Sequence, residues 1–423
     1  MKKIAVIGGG IAGLTAAYLL GQRYEITLFE RSERLGGNAY TLTTPGGEEV
    51  DIAAAVFGRH SYKNLCRLFK RLHIDTVGSF DWNPFSPSLG ASFRSLDDGS
   101  GFFLSPGIAS LISQRFAPLR PRNVRTLLQL LKGLKRARSL SAAGKMEGLS
   151  LGEALKEVPE LSGDAKLIFV SCLCLISSMH CEDVLDAPAA FFLEKLKIYH
   201  DLVPPEALFS VFFPRNRTKE YIDALSAGFA DSIVLNARVR KVIRRENDVI
   251  VVTEDGKQAL FDRVVFGCNA DQALTLLEKP TIEEKRLLGA WKYTDGRIVV
   301  HNDHASFPKR ELMQGYTFLY RKSGRYIETS VSGSLWVLPG ASKSMDLVST
   351  QHPNFPIRQE TILFDGKFRT PIFDFGSCSM IGELPSLNGV RNTYYCGSHF
   401  GFGLHEDAVT SAIEVAKQLG VEF

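Results

Sequence analysis

The sequence predicts an α/β fold in which a parallel-sheet domain, assembled from separated stretches of chain, interleaves with an α+β domain. Three observations predict it. The first thirty residues read as strand, glycine turn, helix, strand; the last thirty read as strand, glycine turn, helix; and four further strand signals lie between residues 231 and 269. At 423 residues the chain has length for about two to three domains.

Lys3 to Ile7 (KIAVI) is a β-branched run suited to a buried parallel strand. It stops at Gly8-Gly9-Gly10-Ile11-Ala12-Gly13, after which Leu14 to Leu20 continues in good helix formers. Glu25 to Phe29 reads as a second strand ending at Glu30. Together these form a Rossmann-like dinucleotide unit. Gly8 permits a tight turn, Gly10 lets backbone approach a pyrophosphate, and Gly13 lets the helix pack on the strand. The N–H groups of Ile11 and Ala12 open the helix, whose positive end attracts phosphate. Glu30, placed after the second strand, accepts hydrogen bonds from ribose hydroxyls. The start, Met1-Lys2-Lys3 before an apolar run, mimics a signal peptide, but glycines at dinucleotide spacing interrupt it and no small-residue cleavage signal follows. Mature structure is expected there.

The composition is that of a globular protein, 45% hydrophobic and 23% charged, with a net charge of +4. Such a balance excludes a polycation built for nucleic acid. Seven irregularly spaced cysteines with no Cys-x-x-Cys pair give no zinc or thioredoxin-like signal, so no metal site is expected. Reduced thiols in a cytoplasmic chain are the expectation.

Glu30-Arg31-Ser32-Glu33-Arg34-Leu35-Gly36-Gly37-Asn38 resembles the extended fingerprint of the FAD-dependent amine oxidase-like superfamily. That resemblance implies FAD as cofactor, with Arg34, Gly36 and Gly37 continuing the phosphate cradle and Arg31 and Asn38 as further cofactor-binding candidates. Near the C-terminus, Thr393 to Cys396 is strand-like, Gly397-Ser398 makes the turn, and Asp407 to Leu419 is helical. Gly403 to Ala412 resembles the superfamily's closing motif, which implies flavin-side contacts from Gly397, Ser398, Glu406, Asp407, Ala408 and Ser411. Asp407 and Ala412 stand where that motif carries glycines, and Ser398 where it carries an acid. The wording of Tyr395 to Asp407, Leu288 to Tyr293 and His301-Asn302-Asp303 also looks like a bacterial subgroup of predicted NAD/FAD-binding proteins, often associated with modified fatty acid synthesis.

In the middle, Ile233 to Leu235, Asn236 to Ile243 and Val249 to Val252 alternate like paired strands around a turn at Glu246-Asn247-Asp248. The resemblance implies that Val239 touches adenine through its main chain. Arg263 to Asn269 reads as one more strand of the cofactor domain. The expected organisation is thus a discontinuous Rossmann-like FAD-binding domain, 1–75, 225–275 and 385–423, interleaved with an α+β substrate-binding domain, 76–224 and 276–384. No second glycine fingerprint follows a strand, so oxygen, a quinone or a partner would reoxidise the flavin.

Between Asp98 and Glu147 lie nine basic residues and no acidic one. Asn123 is a candidate cap for a helix whose Val124, Leu127, Leu128, Leu131 and Leu134 form an apolar stripe. Residues 115–138 are a candidate docking site for an anionic membrane surface, the alternative being a helix packed on its own domain. Leu167 to Met179 is too short to span a bilayer and is expected to line a substrate chamber. Phe191, Phe192, Phe209, Phe212 and Phe213 are candidates for a pocket wall or for core.

Flavins carry their own redox chemistry, so no triad is expected. Phe57, Arg59 and His60 fall where relatives bring chain near the flavin: Arg59 is a candidate for an anionic head group and His60 for proton transfer. The resemblance also implies Lys292 as a candidate, since some relatives place a water-holding lysine near the flavin N5. His399 and His405 flank a Phe-Gly-Phe-Gly loop at the isoalloxazine end. Tyr395 with Tyr316 or Tyr320 is a candidate amine cage. The readings left open are hydride removal from a small or lipid-like substrate, isomerisation without net redox change, and a flavin-bearing partner of a lipid-modifying enzyme.

Overall fold

The computed structural model describes residues 1–53, 55–78, 90–104, 119–202, 210–310, 313, 315–323, 326–338, 341–342 and 344–423. Phe209 and Arg115 lie outside the described residues.

A five-stranded sheet is built from β1 (Lys3–Ile7), β2 (Glu25–Phe29), β10 (Ile233–Val234), β14 (Arg263–Phe266) and β20 (Thr393–Tyr395), in the order β10-β2-β1-β14-β20. Every pairing in it is parallel. A parallel sheet needs cover on both faces, and the alternation of β1 divides between two cores. Ile4 and Val6 pack with the Ile11–Leu20 and His405–Gln418 helices, while Ala5 and Ile7 pack with Val242, Val249 and Val251. Those valines belong to an antiparallel meander, β11 (Val239–Arg244), β12 (Val249–Thr253) and β13 (Gln258–Phe261). The lysine-led apolar start of the chain is therefore a central strand and a buried helix.

Two small sheets bridge to the second layer. One is the hairpin β3 (Tyr40–Thr43) with β4 (Glu49–Ala53); the other orders β5 (Phe57–Gly58), β9 (Val211–Pro214) and β6 (Thr76–Gly78) as β5-β9-β6. The Arg217–Ser226 helix packs Tyr221, Ile222 and Leu225 into the same core as the first helix. Chain from the 76–224 stretch thus supports the dinucleotide unit directly.

The larger sheet has seven strands, β19 (Ile362–Ile372), β15 (Lys292–His301), β18 (Val348–Gln351), β17 (Tyr326–Ser334), β16 (Tyr316–Ser323), β7 (Ala91–Ser95) and β8 (Gly101–Leu104), in that spatial order. All pairings are antiparallel except β16 with β7. The Gly163–Ser177 helix lays Leu167 and Ile168 on Phe93, Phe318 and Val331 of this sheet.

The Pro121–Ala142 helix departs from expectation. Arg120 is its N-cap and Pro121 opens it, so Asn123 does not cap; it is buried in the first turn. Its inward face buries Asn123, Thr126, Gly133 and Ala137 and packs Leu130 and Leu134 on the core, so Leu134 leaves the expected stripe; a Cβ at Gly133 would meet the Leu161 side chain at 2.5 Å. Val124, Leu127, Leu128 and Leu131 face outward, 40–51% exposed. Among the described residues no helix is long and apolar enough to cross a membrane.

A dinucleotide cleft opening into an apolar chamber

A cavity of about 1280 Å³ runs along the carboxyl ends of the parallel strands and continues between the two layers. Parallel sheets bind ligands at these ends because loops and helix N-termini converge there. Glu30 follows β2, Gly8 and Gly10 follow β1, Gly267 and Cys268 follow β14, and Gly397 and Ser398 follow β20; all of them line the cavity.

At the centre, Gly8 adopts φ +107°, which a side chain would strain. Gly13 lines nothing but makes the turn possible: its Cβ would stand 1.9 Å from the Gly8 carbonyl oxygen. A Cβ on Gly10 would project into open space within the cleft, the room that a phosphate needs. No side chain caps the Ile11–Leu20 helix, which leaves its first-turn N–H groups without an internal partner beside Ile11 and Ala12 on the cavity wall.

Glu30 is buried and oriented by its neighbours: Oε2 accepts from the Gly9 N–H at 2.7 Å and Oε1 from the Ser32 N–H at 2.8 Å. A carboxylate has lone pairs beyond these two, so it can still accept from ribose. Arg34 grips the diglycine turn, donating to the carbonyls of Leu35 (3.1 Å), Ala39 (3.3 Å) and Gly37 (2.8 Å) while stacking 3.8 Å over Tyr40. Burial lowers its pKa, against the pull of Tyr40, Glu30 and Glu33. The Gly36 N–H donates to Gly9 O at 2.8 Å, which fixes one glycine turn on the other. Arg31, Asn38 and Val239 also line the cavity; Asn38 spends its amide on Arg369 O at 2.9 Å.

At the far end, Gly397, Ser398, His399, His405 and Ala408 line the cavity around the start of the His405–Gln418 helix. A Cβ at Gly397 would collide with the His399 ring at 2.6 Å. His399 is buried edge-on against Trp291, and its Nε2 has no hydrogen-bond partner. Burial pushes His399 down to about 3 and His405 down to about 4, so both rings are neutral near pH 7.

Several expected contacts are not made. Glu406 caps the Lys63–Arg71 helix instead, accepting from the N–H groups of Asn64 (2.8 Å) and Leu65 (2.9 Å). Asp407 is turned inward, accepting from Tyr199 O–H (2.9 Å) and Leu404 N–H (2.8 Å), and burial raises its pKa. Ser411 ties the turn to the helix through the Gly397 N–H at 2.9 Å. None of the three lines the cavity. Arg59 and His60 are exposed: the His60 N–H bonds to Asp201, and the Arg59 guanidinium lies 5.4 Å over the Phe212 ring. Of the three candidates Phe57, Arg59 and His60, Phe57 alone lines the cavity. Lys292 opens β15 on its exposed side and pairs with Asp374 at 2.9 Å. Tyr395 gives its hydroxyl to Glu284 at 2.6 Å, so it forms no cage with Tyr316 or Tyr320.

The chamber beyond the cleft is walled by Cys172, Leu175 and Ile176 of the Gly163–Ser177 helix and by Phe318, Val331 and Leu335 around the large sheet. Of the phenylalanine candidates, Phe213 lines the cavity, whereas Phe191, Phe192 and Phe212 are core. Sequence reading placed 276–384 in the substrate domain and named Tyr316 but not Phe318, although Tyr316-x-Phe318 alternation puts both residues on one face. It also missed Lys195, fully buried, whose Nζ donates to Ile176 O (3.1 Å) and Phe402 O (2.9 Å) and so joins the chamber helix to the flavin-end loop. Burial lowers Lys195 to about 8, against the opposing pull of Asp407. No local pattern marks that lysine. Among the described residues no cluster suited to a metal ion occurs.

The fit of these residues is to FAD: an acid after β2, an open Gly10, two interlocked glycine turns and a helix start at the far end. Comparison with known proteins agrees. The family model described as flavin containing amine oxidoreductase matches residues 11–346. Amine oxidase [flavin-containing] A of Bos taurus is 38% identical over 77 residues, 18% of this chain and 14% of that protein's length. A redesigned putrescine oxidase superposes with a TM-score of 0.71 at 15% identity, covering 99% of this chain and 98% of that one. The CLA-producing fatty acid isomerase from P. acnes gives 0.68 at 16% identity, covering 99% of each. These two likenesses speak for the fold alone. The family match, by contrast, runs from the first helix through the diglycine turn and most of the chamber wall, and by it the chain belongs to the flavin-containing amine oxidoreductases.

Proposed function

We propose that this protein is an FAD-dependent oxidoreductase that removes a hydride from a C–H bond of an apolar, lipid-like substrate. The apolar chamber carries the reading. Its wall includes Leu175, Ile176, Phe318, Val331, Leu335 and Leu338, and the charged side chains described beside them are already engaged. Asp51, a carboxylate on the cavity wall, is held by the hydroxyl of Thr41 and by the N–H and hydroxyl of Thr218. Arg297 and Arg369 are likewise held, by Asp365 at 2.7 Å and Asp271 at 2.8 Å.

Bound FAD supplies the hydride acceptor at N5. The chain's own groups bind, orient and exclude water. The uncapped Ile11–Leu20 helix start and Gly10 receive the phosphates, and Glu30 receives the ribose. The start of the His405–Gln418 helix favours negative charge at the flavin end of the cleft. Neutral His399 and His405 add no charge to a chamber that must accept hydrocarbon. Apolar walls gain about 25 cal/mol for each Å² of substrate surface they cover.

Anaerobic mixing of the flavin-loaded protein with amines, sugars and lipid extracts tests this. Bleaching of the flavin absorbance by lipid and not by amines is the expected result. Bleaching by a polar amine overturns the substrate class. A lipid product isomeric with its substrate, formed without lasting bleaching, overturns net oxidation in favour of double-bond isomerisation.

A further inference from the structure

We propose that the outward face of the Pro121–Ala142 helix is a docking surface for an anionic lipid bilayer. A surface helix ordinarily turns one apolar stripe inward, as this one does with Leu130, Leu134 and Leu140, but it carries a second apolar stripe outward. Here Val124, Leu127, Leu128 and Leu131, spaced i, i+3, i+4 and i+7, form a contiguous exposed stripe, and Leu119 just before it is 61% exposed. Gly133 and Ala137 on the opposite face hold the helix close to Leu161, so the leucines cannot turn in without lifting the helix off its seat.

Charge identifies the occupant. Arg125 and Lys132 flank the stripe, and Lys135 and Arg138 continue it toward the helix C-terminus; all four are exposed and make no ion pair with a described residue. Arg122 and Arg136, on the side nearer the protein, are by contrast paired with Asp164 and Glu160. No acidic residue occurs from 99 to 146. Leucines beside unneutralised lysine and arginine match the two layers of a membrane interface, acyl chains below and phosphates above. The long basic stems can reach the phosphates while the leucines sit deeper.

Position adds a consequence. The helix packs on the Gly163–Ser177 helix, and Leu130 reaches the cluster of Phe93, Leu167 and Phe318 behind the chamber wall. Docking would therefore hold the chamber one helix away from the bilayer. The inference stands on the helix face and does not depend on the substrate assigned above.

Flotation of the full-length flavin-loaded protein with phosphatidylglycerol–phosphatidylcholine vesicles and with pure phosphatidylcholine vesicles tests it. Expected is binding to the anionic vesicles at low salt, reduced roughly tenfold by raised salt. Leu127→Gln/Leu131→Gln and Lys132→Gln/Lys135→Gln/Arg138→Gln should each abolish binding while the flavin spectrum and helix content stay unchanged, since all five side chains are solvent-facing. Equal recovery in the protein-only fraction with and without anionic vesicles overturns the inference. So does unchanged binding in the leucine variant. A dimer in solution that the leucine variant dissociates, without any vesicle binding, also overturns it and assigns the face to a second copy of the chain.

Discussion

Gly10 and Glu30 make the strictest demands on residue identity at the cleft, and for different reasons. A side chain at Gly10 occupies the open space beside the helix start, and a cation at 30 removes the acceptor that orders Gly9 and Ser32. Gly10→Val and Glu30→Arg are each expected to give folded but colourless protein, read from the absorbance of the purified chain. His399 supplies a pH signature. Its folded pKa is lowered to about 3 by burial, so below pH 6.5 the unfolded chain takes up a proton that the folded chain refuses. Stability from this group is fully present above pH 6.5 and is lost as pH falls toward 3. His399→Gln should therefore lose about 1.5 kcal/mol less than the parent between pH 6.5 and 5, measured by denaturant titration at both values.

At the scale of elements, the closing strand β20 is held by an ion pair as well as by its ladder. Arg244 of β11 and Glu284 of the Ile282–Gly289 helix are both almost wholly buried, with Nη2 to Oε2 at 2.9 Å, and Tyr395 of β20 donates to the same carboxylate at 2.6 Å. Burial alone would raise the Glu284 carboxyl, but hydrogen bonds from Arg244, Tyr395 and the Thr281 N–H hold it below the usual carboxylate range. Removing one partner strands a buried charge. Glu284→Ala should cost roughly 3–5 kcal/mol, and adding Arg244→Met should recover a large part of that, both read by chemical denaturation. The contrast with Lys292 and Asp374 is instructive, because that pair is exposed and contributes under about 1 kcal/mol. Elements also show where a local pattern misleads. Asp407 and Glu406 sit in the first turn of a helix that opens onto the cleft, yet their side chains serve Tyr199 and the Lys63–Arg71 helix.

Across the whole molecule, the chain returns to the parallel sheet three times, and each return adds strands whose neighbours are far away in sequence. β14 lies between β1 and β20, and the first and last helices cover one face together. The second layer is threaded between these returns, which places its chamber against the carboxyl ends of the strands. How much of this was legible depends on the range of the contacts involved. The turn Gly8 to Gly13, the acid Glu30 and the diglycine Gly36-Gly37 interact mostly within about thirty residues, and backbone sterics dictate glycine at Gly8 and Gly13. The sequence by itself therefore determined the dinucleotide unit, the flavin and the strand-turn-helix that closes the domain. It could not decide that Arg59, His60 and Lys292 face solvent, that Tyr395 binds Glu284, that Lys195 is buried against Phe402, or that a leucine stripe points outward. Each of those outcomes hangs on a contact with a residue distant in the chain, such as Asp201, Asp374, Glu284 or Leu161. A helical or alternating pattern says which side chains share a face; only tertiary packing decides whether that face meets protein, ligand or water.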